Sequence, residues 1–328
     1  MYVTAFKTIR VRILRAHGMD VYRPHRRRTR KLKVAKGGVS KLSTPAAASL
    51  IRKVHSTRQL EIIHLSDLHF GNSHRFDPPR TPAGDVPKRT GYPRLLDKLQ
   101  EDLTDSDPNC PVITCITGDL ATTCSDEELK QSEDFINSIA KIPILGSPRT
   151  LENVFIIPGN HDVVYDSPDV GTRWRPFVDF SNRLMKTKVN CDDPWSLVRL
   201  HDRIDDLGAV ILSLNSAIYV EKGKLDQDRG NLDVKQLQIA ENALSNLEPE
   251  RLKSAIRIAL IHHHPVLIPP LAEPGRGYDA VHNSGKLLTI LRKYGFHLIL
   301  HGHKHNPFTF TDDTQSASQE SSLSTVDC

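Results

Sequence analysis

The chain has 328 residues, 38% of them hydrophobic, and a net charge of +5, which allows one large domain of roughly 250 residues with extensions, or two small ones. No apolar run approaches the roughly 18 residues needed to cross a bilayer, and five cysteines, an odd number with no CxxC pair, argue against a disulfide framework and a zinc ribbon alike. A reducing, cytoplasmic setting is the expectation. The charge divides at Leu60: residues 1–60 carry 16 Lys or Arg against the single acid Asp20, a balance of +15, leaving 28 of the 44 basic and 38 of the 39 acidic residues, about −10, beyond it.

The first segment contains "RPHRRRTRKLKVAK", Arg23 to Lys36, with little hydrophobic periodicity. Residues 1–60 are therefore expected to be a disordered basic extension, an Arg-rich targeting peptide, or an arm that neutralises nucleic-acid or membrane phosphates. An apolar h-region of the secretory kind is missing. From Glu61 the chain alternates short apolar runs with amphipathic segments, the pattern of an α/β fold with parallel strands. Strands are expected at 61–66, 111–117, 153–158, 209–215, 256–262 and 296–301, each rich in Ile, Val and Leu. Between them, "SDEE" (Ser125 to Glu128) reads as a capping box, Asp233 as an N-cap with Gln236 three residues on, and Gly295 as a left-handed helix C-cap.

Polar residues of one chemical type gather where these strands end. "SDLH" follows the first, "GDL" the second, "GNHD" the third, "HHHP" the fifth and "GHKH" the sixth. Ligands of α/β sheets bind beyond the carboxyl ends of the strands. Asp, His and Asn without thiolate are the donor set of borderline divalent metals. Asp67 and His69, two apart, can point the same way, as can His303 and His305, and Asp119 has two oxygens with which to bridge two ions. Two ions about 3.5 to 4 Å apart activate water and neutralise charge in displacement at phosphorus. In the run His262, His263 and His264, alternation along a strand sends either His263 alone or the other two together to the site. His161 can donate a proton at neutral pH, and Asp162 beside it could orient its ring.

Taken in order, "DLH", "GDL", "PGNHD", "HHHP" and "HGHKH" resemble the signature blocks of the calcineurin-like metallophosphoesterases, from about Glu61 to Asn306. The resemblance implies a four-layer αββα sandwich of two mixed sheets flanked by helices. It also implies two divalent ions, Mn, Fe or Zn among the options: Asp67, His69 and His305 on the first, Asp119 bridging, and Asn160, His303 and one histidine of the triplet on the second. The family places that last ligand two residues before the proline, which selects His263, with His262 and His264 facing away. His161 becomes the acid that protonates the leaving oxygen while metal-activated water attacks phosphorus.

The reading is a phosphoester hydrolase, and "LSDLHFG", "LNS" (Leu214 to Ser216) and "HHHP" look most like the cyclic-nucleotide phosphodiesterase type. The alternatives are a two-metal nuclease gripping nucleic acid through residues 1–60, and a non-catalytic metal-binding regulatory module. Two departures from the family pattern stand out. A polar, Pro-rich insertion, Gly71 to Pro93, reads either as a loop over the site or as a plain disordered insertion. Residues 61–310 form the expected domain; the stretch from Phe308 offers one plausible strand, and 311–328 read as a Ser-rich polar tail that leaves the second sheet cut short.

Overall fold

The computed structural model describes residues 8–13, 59–71, 92–103, 110–142, 150–165, 167–220, 229–267, 280–305, 309–316 and 319–327. Almost all of the basic segment and of the Gly71 to Pro93 insertion therefore lies outside the described residues. Every strand expected from the sequence is present: β2 (Gln59–Leu65), β3 (Val112–Thr117), β4 (Val154–Ile157), β6 (Ala209–Ser213), β7 (Ile256–Leu260) and β8 (Leu298–His301). All six end at or before the expected residue, and in the five other than β6 the chain leaves the sheet where its ligand-type residues begin. Four further strands are β1 (Thr8–Ile13), β5 (Arg199–Arg203), β9 (Thr309–Ser316) and β10 (Gln319–Asp327); the first two were not read from the sequence, and the last two stand where it offered one strand.

The first sheet has the order β1-β2-β3-β4, and its described pairings are all parallel, with Ile62 opposite Ile113 and Ile116 opposite Ile156. Its edge strand β1 comes from the basic segment. The second sheet is mixed, in the order β5-β6-β7-β8-β10-β9, with β6, β7, β8 and β10 parallel and the outer strands β5 and β9 antiparallel to their neighbours.

Side-chain alternation sorts the apolar residues into layers. Ile62, Ile113, Cys115 and Phe155 of the first sheet meet Ile211, Ile258, Leu260 and Leu300 of the second in one buried cluster, so the two sheets pack face to face. The opposite face of the first sheet, with Ile63, Leu65 and Ile116, is covered by Leu95 and Leu99 of the helix Tyr92–Leu103, Phe135 and Ile136 of Asp126–Ile139, and Trp174 and Phe177 of Val170–Met185. The outer face of the second, with Leu212, Ala259 and Ile299, is covered by Leu237 and Ala240 of Val234–Ser245 and Leu287 and Leu291 of Ser284–Lys293. The result is the expected helix, sheet, sheet, helix sandwich. The caps also form as read: Ser125 and Glu128 close a capping box, Asp233 accepts from Gln236 N, and Gly295 follows its helix at φ +62°.

The serine-rich end differs from its reading as a tail. β9 and β10 pair antiparallel, and β10 pairs in parallel with β8, so 309–316 and 319–327 continue the second sheet. Leu323 packs toward the helices and Val326 toward the sheet interface. Two apolar residues among Ser and Thr give too faint an alternation to read, although Thr favours strands. Among the described residues no helix is long and apolar enough to cross a membrane.

Candidate metal centre

The loops leaving β2, β3, β4, β7 and β8 converge at one end of both sheets. They are laced by backbone hydrogen bonds: Asp67 N to Gly118 O (3.1 Å), His69 N to Asp119 O (2.9 Å) and Gly302 N to His262 O (3.0 Å). Five residues read as ligands occupy the left-handed backbone region: Asp67 (φ 54°), His69 (46°), Asp119 (53°), His303 (87°) and His305 (54°). Such a conformation costs a non-glycine residue about 1–3 kcal/mol and persists only where the surroundings over-determine it. Gly118, at φ +91°, shows how tight those surroundings are. A β-carbon there would lie 2.6 Å from Gly159 N and 2.7 Å from His262 Nδ1.

The side chains form two groups around a shared carboxylate. In the first, His69 Nε2 and His305 Nε2 stand 3.2 Å apart, and His305 Nε2 is 3.3 Å from Asp67 Oδ1. Both Asp67 oxygens accept from His303 N, at 3.0 and 3.1 Å. In the second, Asn160 Oδ1 lies 3.0 Å from both His262 Nε2 and His303 Nδ1. Asp119 stands between them, with Oδ2 3.8 Å from His69 Nε2 and 3.3 Å from His262 Nε2. One donor atom from each of Asp67, His69 and His305 falls within 4.8 Å of the others, and the same holds for His262, His263 and His303. Asp119 is 1% exposed, and His262 and His263 are fully buried.

Residues 60–307 match the family of calcineurin-like phosphoesterases. The chain belongs to that family. It is a metal-dependent phosphoester hydrolase. No curated protein matches it. Among solved structures, a phosphopantetheinyl hydrolase from Mycobacterium tuberculosis superposes with a TM-score of 0.46 at 13% identity, over 83% of this chain and 90% of its own.

The electrostatics of the phosphoesterase site suit metal binding. Burial works against ionisation of Asp67 and Asp119, but the facing imidazoles outweigh it: His305 and His262 hold Asp67 below the usual carboxylate range, and His262 holds Asp119 well below it. Burial keeps His69 below its ordinary value and His263 and His303 well below theirs, so their ring lone pairs stay available. His262 is the exception: although burial opposes its charge, Asp119 lifts it to about 9. An ion can take the place of that proton. His263 Nε2, buried and without a hydrogen-bond partner, is a further sign that the donor set fits a metal.

The sequence readings divide here. Asp67, His69, Asp119, Asn160, His303 and His305 are brought together as expected, and His263 joins them. The ring of His262, read as facing away, turns inward. β7 ends at Leu260 and the three histidines follow in a bend, so strand alternation does not apply to them. His264 lies edge-on to His301, ring centroids 4.9 Å apart.

His161 is beside the cluster, its backbone N–H donating to Asp119 Oδ1 (2.8 Å) and its ring edge-on to His69 at 4.8 Å. The ring is oriented by Nδ1 donating to Thr122 O at 2.8 Å. Asp162 therefore does not orient it. Its buried carboxylate instead accepts from Gly159 N (2.9 Å), Ala121 N (3.0 Å) and Leu120 N (3.3 Å), tying the loop after β4 to the loop after β3. Burial and then the charge of Asp119 push Asp162 up to about 7, against those three donors. Thr122 carried no signal in the sequence, since its contribution is a backbone carbonyl.

Proposed function

We propose that the phosphoesterase is a dinuclear phosphodiesterase of the cyclic-nucleotide type. Asp67, His69 and His305 would hold one ion, Asn160, His263 and His303 the other, and Asp119 would bridge. The observation that carries this is the placement of Asp119 between two donor groups, with His161 alongside. When bound, the ions supply Lewis-acid neutralisation of phosphate charge and an activated water. The chain's own residues do the rest. His161, with Nδ1–H committed to Thr122 O, presents Nε2 as the atom that hands a proton to the departing oxygen. Asp162 fixes the loop from which His161 projects. The likeness of "LSDLHFG", "LNS" and "HHHP" to the cyclic-nucleotide type supports the substrate class.

The test compares bis-p-nitrophenyl phosphate, p-nitrophenyl phosphate and 3′,5′-cyclic AMP as substrates for metal-stripped protein resupplied with Mn²⁺, beside His161→Ala. Diester and cyclic-nucleotide cleavage that falls about 10²- to 10⁴-fold in the variant, with metal binding intact, is expected. Two bound equivalents with no turnover would leave a metal-binding regulatory module instead. The +15 balance of residues 1–60 supports a second reading, a nuclease. In that case cleavage of single-stranded DNA falls steeply with salt, and Arg26→Gln with Arg27→Gln and Arg28→Gln flattens the dependence.

A further inference from the structure

The three consecutive histidines are not equivalent to one ligand with two bystanders. His262 and His263 each have Nδ1 engaged on the outer side of the site. His262 Nδ1 is 2.7 Å from Thr117 O, an acceptor that fixes a proton on Nδ1 and leaves Nε2 facing Asn160 Oδ1 and Asp119 Oδ2. His263 Nδ1 is 2.8 Å from Ser216 Oγ, which also takes the His263 backbone N–H at 3.3 Å. With Nδ1–H donating to Ser216, His263 Nε2 is a bare lone pair in a fully buried position. The alternative tautomer would bury an N–H with no acceptor, at a cost of about 1–3 kcal/mol. Gly230, at φ +67°, lays its backbone against the His263 ring so closely that a β-carbon would collide with Nδ1. The ring is held from behind as well as from the side. His303 completes the set, its ring centroid 4.4 Å from that of His263 and 5.2 Å from that of His262.

We propose that the second metal position is bound by three imidazoles, His262, His263 and His303, with Ser216 as the positioning residue that selects the His263 tautomer. This rests on the dinuclear reading above and extends it. An outer acceptor that fixes tautomer and ring orientation is what a ligating histidine ordinarily has, and its loss typically lowers metal affinity about 10- to 100-fold. A position with three nitrogen donors discriminates against Mn²⁺ and toward Co²⁺, Ni²⁺ or Zn²⁺ more strongly than the first position, which has two imidazoles and a carboxylate.

Metal-stripped full-length protein is titrated with Co²⁺ and, separately, Mn²⁺, following absorbance and heat, alongside His262→Ala, His263→Ala and Ser216→Ala. We expect two equivalents for the unsubstituted protein. Both histidine variants should lose at least tenfold in affinity for the second equivalent and keep the first, and the Co²⁺ over Mn²⁺ preference at the second position should shrink in each. Ser216→Ala should weaken that position about tenfold while preserving the preference. Second-equivalent binding untouched in either histidine variant overturns the three-imidazole site, whereas fewer than two equivalents in the unsubstituted protein overturns the dinuclear reading together with it. Should a variant fail to fold, the NMR spectrum of the dicobalt unsubstituted protein decides. Five exchangeable, hyperfine-shifted imidazole N–H resonances, from His69, His262, His263, His303 and His305, are expected, and four would refute the proposal.

Discussion

Gly118→Ala tests how far the site depends on close backbone approach. At φ +91° the new residue would incur about 1–2 kcal/mol of left-handed strain. Its β-carbon would also meet Gly159 N at 2.6 Å, Gly159 Cα at 2.7 Å and His262 Nδ1 at 2.7 Å. Two of these are backbone atoms that cannot rotate away, so overpacking adds about 1–3 kcal/mol. The restricted unfolded chain gives back about 0.4–1 kcal/mol. The net loss is about 2–4 kcal/mol, a large part of a typical total stability of about 5–15 kcal/mol. Displacing Gly159 also moves Asn160 and His161, so affinity for the second metal equivalent and turnover fall together. Urea denaturation of the metal-free protein measures the first effect and Co²⁺ titration the second. Gly285→Ala is the matched control, because its β-carbon would meet nothing within 4 Å in the helix Ser284–Lys293, and a gain of up to about 1 kcal/mol is expected. A Gly118→Ala protein within 1 kcal/mol of the parent, or with unchanged metal titration, would refute the reasoning.

Glu128→Ala should cost about 3 kcal/mol in urea denaturation, since its carboxylate accepts from Thr123 N, Thr123 Oγ1 and Ser125 N at 2.8, 2.9 and 3.3 Å. It should also lower kcat by loosening the Thr122 carbonyl that holds His161. Ser125→Ala should cost only about 1 kcal/mol and leave kcat unchanged. His201, whose ring packs edge-on to Phe155 with Nε2 3.2 Å from Ser213 Oγ, is lowered to about 4 by burial, with Arg199 and Arg203 adding to the effect. The folded protein then binds fewer protons there than the unfolded chain between about pH 6.5 and 4. Stability should fall as pH drops through that window, by about 3 kcal/mol from this residue. His201→Gln should remove about one proton from the slope, and equal slopes would exclude the assignment.

How much was legible in the sequence depends on the kind of signal. The buried strands of the sandwich announce themselves because a strand covered on both faces must be apolar throughout, as in "VITCIT". β5, "RLHDR", is an edge strand and β10 is built largely from Ser and Thr, so neither carries that mark. The ligand residues were readable because each follows a strand and few other chemistries need that combination. The orientation of His262 was not, because it depends on β7 ending at Leu260, short of the run. The role of Asp162 was hidden for a different reason. Adjacency to His161 suggested that it orients that ring, whereas its partners are backbone N–H groups, at Gly159 and, some forty residues away, at Leu120 and Ala121.

His69 and His305, whose ring nitrogens stand 3.2 Å apart, are separated by 236 positions in the chain. During synthesis the amino-terminal half can lay down β2, β3 and β4 with their loops long before that partner exists. A complete coordination sphere therefore forms only after the last strand of ligands has been made and the second sheet has docked on the first. A chain ending before His305 would leave Asp67 and His69 without the donor that closes their half of the site.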